Sequence, residues 1–202
     1  CSQNILSSLP ALPSSLITLI CFNNQLSSLP ALPSSLYKLN CSSNLLSGGL
    51  PTLPNSLVLL YCSNDLLQSL PSLPFSLVEL DCSINSLTSL PNLPNSLSIL
   101  ICNTNSLTSL PALASVNFLD CQNNQLSALP TLPNTLGYLN CSTNLLTAIN
   151  NLPPSLVTLI CATNSITSLP SLPNSLVSLI SSNNQLSTLP TLPNNLANLD
   201  CS

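Results

Sequence analysis

The 202-residue chain is 45% hydrophobic but only 3% charged, with a formal net charge of −4. Its charged side chains are Lys38, Asp65, Glu79, Asp81, Asp120 and Asp200. They form no basic patch, so no nucleic acid is expected as a partner. Histidine is absent, which excludes histidine general-base catalysis, and the sequence points to no enzyme.

Taken in chain order, the sequence is one element written ten times. Cysteines stand at 1, 21, 41, 62, 82, 102, 121, 141, 161 and 201, with Ser181 in the remaining slot, so the period is 20 residues apart from one step of 21 and one of 19. The long step contains Gly48 and Gly49; the short one lacks a residue and a proline near Ala114. Before each cysteine a short strand is expected: in "SLITLIC", Leu19 and Cys21 share one face while Ile20 points to the other. No single repeat can bury such a face, whereas stacking places equivalent strands about 4.8 Å apart as a parallel sheet.

Three residues after each cysteine comes Asn4, Asn24, Asn44, Asn85, Asn105, Asn124, Asn144, Asn164 or Asn184, with Asp65 as the one substitute. An amide there can bond backbone groups leaving the ladder, so the column is read as structural, and the Asp65 turn is expected to be adjusted. Next comes "LPxLP", whose prolines remove donors and hold the chain near the polyproline conformation, so an extended return is predicted rather than a helix. Two hydroxyl columns follow. One lies six residues after the cysteine (Ser7, Ser27, Ser47, Thr88, and so on), and the other precedes the strand's first leucine (Ser15, Ser35, Ser56, Ser76, and so on). Both are expected to bond the turning backbone locally.

The consensus LxxLxCxxNxLxxLPxLPxS resembles the leucine-rich repeat, with cysteine in a strand leucine's place, and the match runs the length of the chain. It is most similar to the short bacterial class of secreted effectors and to repeats of secreted and cell-surface proteins of Bacteroidetes. The resemblance implies a repeat solenoid, a horseshoe or superhelix with a parallel β-sheet on its concave side and an extended, proline-rich convex side. It also implies an extracellular or cell-surface location and an adhesion or binding role. Residues 1–202 are expected to be a single array of ten repeats from a longer chain, without its caps. No apolar run reaches the roughly 18 to 20 residues of a membrane span, so no membrane insertion is expected.

For the cysteines, packing is favoured. A metal site needs ligands converging from several directions, and neither a CxxC pair nor a histidine is present. Parallel in-register strands hold neighbouring Cβ vectors side by side, a poor match to disulfide geometry. Ser181 shows that a small side chain suffices in the slot. No cofactor is expected.

A binding surface is expected where strand residues point away from the core, one and three positions before each cysteine. In the middle coils these are Leu59, Tyr61, Glu79, Asp81, Ile99, Ile101, Phe118, Asp120 and Tyr138. Unlike the core columns they vary, so the fold is not expected to dictate them. Leu59, Tyr61, Ile99, Ile101, Phe118 and Tyr138 are expected to make a contiguous apolar and aromatic zone flanked by the acids, suited to a protein or glycan ligand, or to neighbouring copies or domains. The alternative reading is a structural spacer or filament element assembling end to end.

Overall fold

The structure is a computed structural model that describes all 202 residues. Ten three-residue strands, β1 (Thr18–Ile20), β2 (Lys38–Asn40), β3 (Leu59–Tyr61), β4 (Glu79–Asp81), β5 (Ile99–Ile101), β6 (Phe118–Asp120), β7 (Tyr138–Asn140), β8 (Thr158–Ile160), β9 (Ser178–Ile180) and β10 (Asn198–Asp200), lie in sequence order. They form one parallel sheet, each strand pairing in register with the next, and Leu19 faces Leu39 as Leu39 faces Leu60. The return side contains no helix, as its prolines require.

The central residue of every strand from β1 to β9 is a buried leucine. Beneath it lie the cysteine column from Cys21 to Cys161 and leucines such as Leu36 and Leu46, all fully enclosed. Burial of each leucine contributes about 1.5 to 3 kcal/mol, so the stacked coils share one elongated core.

Each coil turns twice in a fixed way. On the return side the carbonyl before the two turn residues accepts a hydrogen bond from the N–H three residues on. Pro13 accepts from Leu16 at 3.1 Å and Pro33 from Leu36 at 3.1 Å, and Leu113 accepts from Val116 at 2.8 Å where the proline is missing. After the strand, the residue two beyond each cysteine is left-handed, with φ between 53° and 58° at ten positions from Gln3 to Asn183. Asparagine tolerates that conformation, but Ile84 at φ 53° is β-branched, and its side chain is also half exposed.

The asparagines close this turn across coils. Nδ2 of Asn24 donates to the carbonyls of Cys21 (3.0 Å), of Cys1 in the preceding coil (2.9 Å) and of Phe22 (3.3 Å). Its Oδ1 accepts the N–H of Leu6 at 3.0 Å. Asn44, Asn85, Asn105, Asn124, Asn144, Asn164 and Asn184 repeat the pattern.

The hydroxyl columns depart from expectation. The one preceding the strand bonds across coils rather than locally: Ser56 Oγ donates to the Leu36 carbonyl at 2.7 Å and Ser76 Oγ to that of Leu57 at 2.6 Å. The column at Ser27, Ser47, Thr88 and Thr108 is exposed, and its hydroxyls make no such bond.

Two outcomes follow for unfolding measurements. Ile84→Asn should raise stability by about 1 kcal/mol, since a left-handed residue costs roughly that much more with a β-branched side chain. Asn105→Ala should lower it by about 1 to 3 kcal/mol for each backbone group left without a partner. Chemical denaturation of the two variants beside the parent chain checks both.

Candidate functional site

The sheet face opposite the core presents the expected side chains. Leu59, Glu79, Ile99, Phe118 and Tyr138 form one row across β3 to β7, and Tyr61, Asp81, Ile101 and Asp120 form the row beside it. All nine are half-buried, standing on a backbone held by the ladder with their outer surfaces free.

Within these rows the apolar zone is split rather than contiguous. Strand β4 carries Glu79 and Asp81 between Leu59 and Tyr61 on one side and Ile99, Ile101, Phe118 and Tyr138 on the other, because registry places every strand directly between its sequence neighbours. On the larger side the rings of Phe118 and Tyr138 stack with centroids 4.2 Å apart and planes 3° from parallel. In-register strands dictate this contact: identical positions on adjacent strands sit one above the other. On the smaller side Lys38 Nζ lies 5.2 Å from the centre of the Tyr61 ring, within cation–π range.

The acids do two things. Asp81 Oδ1 accepts the Ser83 N–H at 3.0 Å and its hydroxyl at 2.6 Å, and Asp120 Oδ1 accepts the Gln122 N–H at 3.3 Å. Asn40, Asn140 and Asp200 bond the residue two ahead in the same way. Where Asp or Asn stands in this column it makes an Asx turn, but the fold does not dictate the residue, since Ile20, Tyr61, Ile101, Ile160 and Ile180 occupy the same position. Asp120 also accepts Asn103 Nδ2 at 2.9 Å. Partial burial pushes its carboxyl above the usual range even so. Tyr61 is pushed up to about 12, first by burial and then by the Glu79 carboxylate on the neighbouring strand. Burial, followed by the Asp120 charge, raises Tyr138.

The cysteine column offers no reactive group on this face. All ten cysteines are free thiols, exposed only at Cys1 and Cys201. Burial pushes Cys21 up to about 11 and Cys161 up to about 12, and the thiols between them are raised further in the same direction. Thiolate, the nucleophilic and metal-binding form, is thereby suppressed.

Two exposed aromatics lie outside the expected set. Tyr37 flanks the sheet, and Phe75, 89% exposed, stands at a return-side turn where neighbouring coils carry Asn55 and Asn95. The break in a polar column is the signal that could have found Phe75. A shallow groove of 480 Å³ lies between the return segments 127–134 and 147–153, where Asn150 occupies a proline position of the repeat.

A ten-stranded parallel solenoid with a leucine at each strand centre and an asparagine at each turn defines the leucine-rich repeat class. The chain belongs to this family, as solved structures show. YopM from Yersinia enterocolitica is 40% identical over 98% of this chain and 49% of that one, with a TM-score of 0.82. YopM from Yersinia pestis, described as a leucine-rich effector protein, is 30% identical over 96% of this chain and 80% of that one, with a TM-score of 0.51. The functional domain of InlJ from Listeria monocytogenes, described as including a cysteine ladder, shares the fold at 23% identity and a TM-score of 0.65, over 100% of this chain and 57% of that one. The chain thus spans about half the length (49%) of the Yersinia enterocolitica protein. No protein-family model and no curated protein sequence matches it.

Alkylation under native conditions should therefore modify Cys1 and Cys201 and spare the eight buried thiols from Cys21 to Cys161, whereas denaturant should expose all ten. Mass spectrometry before and after unfolding reads the difference.

Proposed function

We propose that this chain is a non-catalytic binding module that holds a basic segment of a partner protein across the open face of strands β3 to β7. The observation that carries the reading is the half-exposed Phe118–Tyr138 stack beside Asp120, with Glu79 and Asp81 two strands away. Stacked rings give a large, rigid contact area at small entropic cost, and they attract guanidinium and ammonium groups. Three carboxylates on the same face favour the same partner charge, and the chain's single cation, Lys38, lies at the far side over Tyr61. Charge complementarity of this kind acts mainly on encounter rate and selectivity, the rings on affinity.

The module works outside the cell that makes it, in a secreted or surface-displayed adhesin-like protein. That reading is supported by the effector description of the Yersinia pestis relative. A surface solvated by Ser, Thr and Asn and a thiol column shielded from oxidants suit the same setting. No helix is long and apolar enough to cross a membrane.

Binding to immobilised basic, neutral and acidic peptides of equal length tests the assignment. Retention of the basic set, weakening with salt, and a loss of at least about tenfold in the Phe118→Ser/Tyr138→Ser variant are expected, in line with the about 1.4 kcal/mol or more that such anchors supply. Equal retention of acidic peptides would count against it. Stacking of copies end to end would instead appear as concentration-dependent mass in sedimentation, indifferent to those two substitutions.

A further inference from the structure

Asp65 is the one position where the asparagine column fails, and the failure is visible in the bonding around it. Its side chain is 6% exposed. Oδ1 takes the role of an acceptor, bonding the Asn44 N–H at 2.8 Å, with the Leu46 N–H also against the carboxylate. Oδ2, the atom that corresponds chemically to an asparagine's amide nitrogen, is buried and has no partner.

From Asn24 onward, everywhere else in the column that nitrogen serves three carbonyls: its own coil's cysteine or serine, the preceding coil's cysteine and the residue after its own. Around Asp65 these are the carbonyls of Cys62, Cys41 and Ser63. The Cys41 and Cys62 carbonyls retain only the bonds from Asn44 and Asn85, where the Cys21 carbonyl receives two asparagines.

Backbone rungs are missing at the same place. The Leu45 N–H reaches the Leu26 carbonyl at 2.9 Å and Ser86 reaches Leu67 at 2.9 Å, but the equivalent bond from Leu66 to Leu46 is not made. The Asn85 N–H reaches the Thr104 carbonyl at 3.2 Å, whereas Asp65 makes no such bond.

We propose that Asp65 is a proton-operated joint in the solenoid: as a neutral acid its Oδ2–H replaces the missing asparagine amide and ties the turns after β2 and β3 together. Ionised, it leaves that pair of turns to the bonds already there, such as the Asn44 N–H to Asp65 Oδ1 and the Ser43 N–H to the Ser63 carbonyl, without the donor that asparagine supplies elsewhere. The required proton comes from solvent and returns there.

Burial acts in the same direction, pushing the Asp65 carboxyl up to about 7 against the lowering effect of the Asn44 and Leu46 N–H groups. The titratable groups packed near it are the Cys21, Cys41 and Cys62 thiols, each held further towards its neutral form by an Asp65 charge. The folded chain therefore holds this proton at pH values where the unfolded chain, near 3.8, has released it. The joint's contribution is complete below about pH 4, declines as pH rises through the folded-state value near 7, and is level above it. The inference stands whatever the open sheet face binds.

Urea unfolding from pH 4 to pH 8 tests the joint in the parent chain, Asp65→Asn and Asp120→Asn. The parent midpoint should fall as pH rises, Asp120→Asn should keep most of that fall, and Asp65→Asn should lose most of it and be the more stable protein at pH 8. Infrared spectra at pH 5.5 give an independent reading that needs no reversible unfolding. A protonated-carboxyl band should be present in the parent and in Asp120→Asn and diminished in Asp65→Asn. A parent midpoint that is flat or rising, a slope kept by Asp65→Asn, or a band insensitive to that substitution overturns the proposal.

Discussion

The architecture depends on a side-chain amide shared between consecutive turns. Where the chain leaves the sheet, the cysteine carbonyl and one leucine or isoleucine N–H per coil would face the interior unpaired, at a cost of about 1 to 3 kcal/mol each. One asparagine meets these demands, and two of the four bonds that Asn24 makes reach the preceding coil, so those two exist only when two coils stack. Coil-to-coil coupling is thus polar as well as hydrophobic. The leucine and cysteine columns supply most of the burial energy, while the asparagines set the exact pitch at which the carbonyls are satisfied.

Rigidity at the turns makes the opposite face usable. Each strand is only three residues long, so two side chains per coil point outward, and their spacing is that of the ladder. Phe118 and Tyr138 stack because their backbones are held in register, before any ligand is considered. The same constraint limits the face. Asp81 and Asp120 bind the turn as well as facing solvent, so substituting them disturbs a backbone N–H together with the surface charge. Phe118 and Tyr138 have no comparable bond to the turn, which makes them the cleaner probes of binding. The cysteines, enclosed and held in the thiol form, act through size and burial rather than reactivity.

The repeat length, the parallel sheet, the extended return and the core columns were all legible in the residues, because a twenty-residue period repeated ten times averages away local ambiguity. The two outward rows were legible for a simpler reason, the two-residue alternation of a strand. Their internal arrangement was read less well. Glu79 and Asp81 were expected beside an apolar zone and instead divide it, since which coil's residues interrupt which follows from strand order rather than from composition. Serines before the strand bond the previous coil, whose nearness a linear reading does not measure.

By itself the sequence determined which side chains are buried, that cysteine fills a small core slot and that Asp65 lacks the donor its neighbours have. These follow from periodicity and from the chemistry of single residues. Only the tertiary structure decided the left-handed conformation at Ile84 and its equivalents, the Asx turns at Asp81 and Asp120, and the orphaned oxygen of Asp65. The Asx turns are local bonds whose geometry a strand end must first present, whereas the environment of the Asp65 oxygen depends on where one coil's backbone groups lie against the next, and that distance exists only once the coils have stacked.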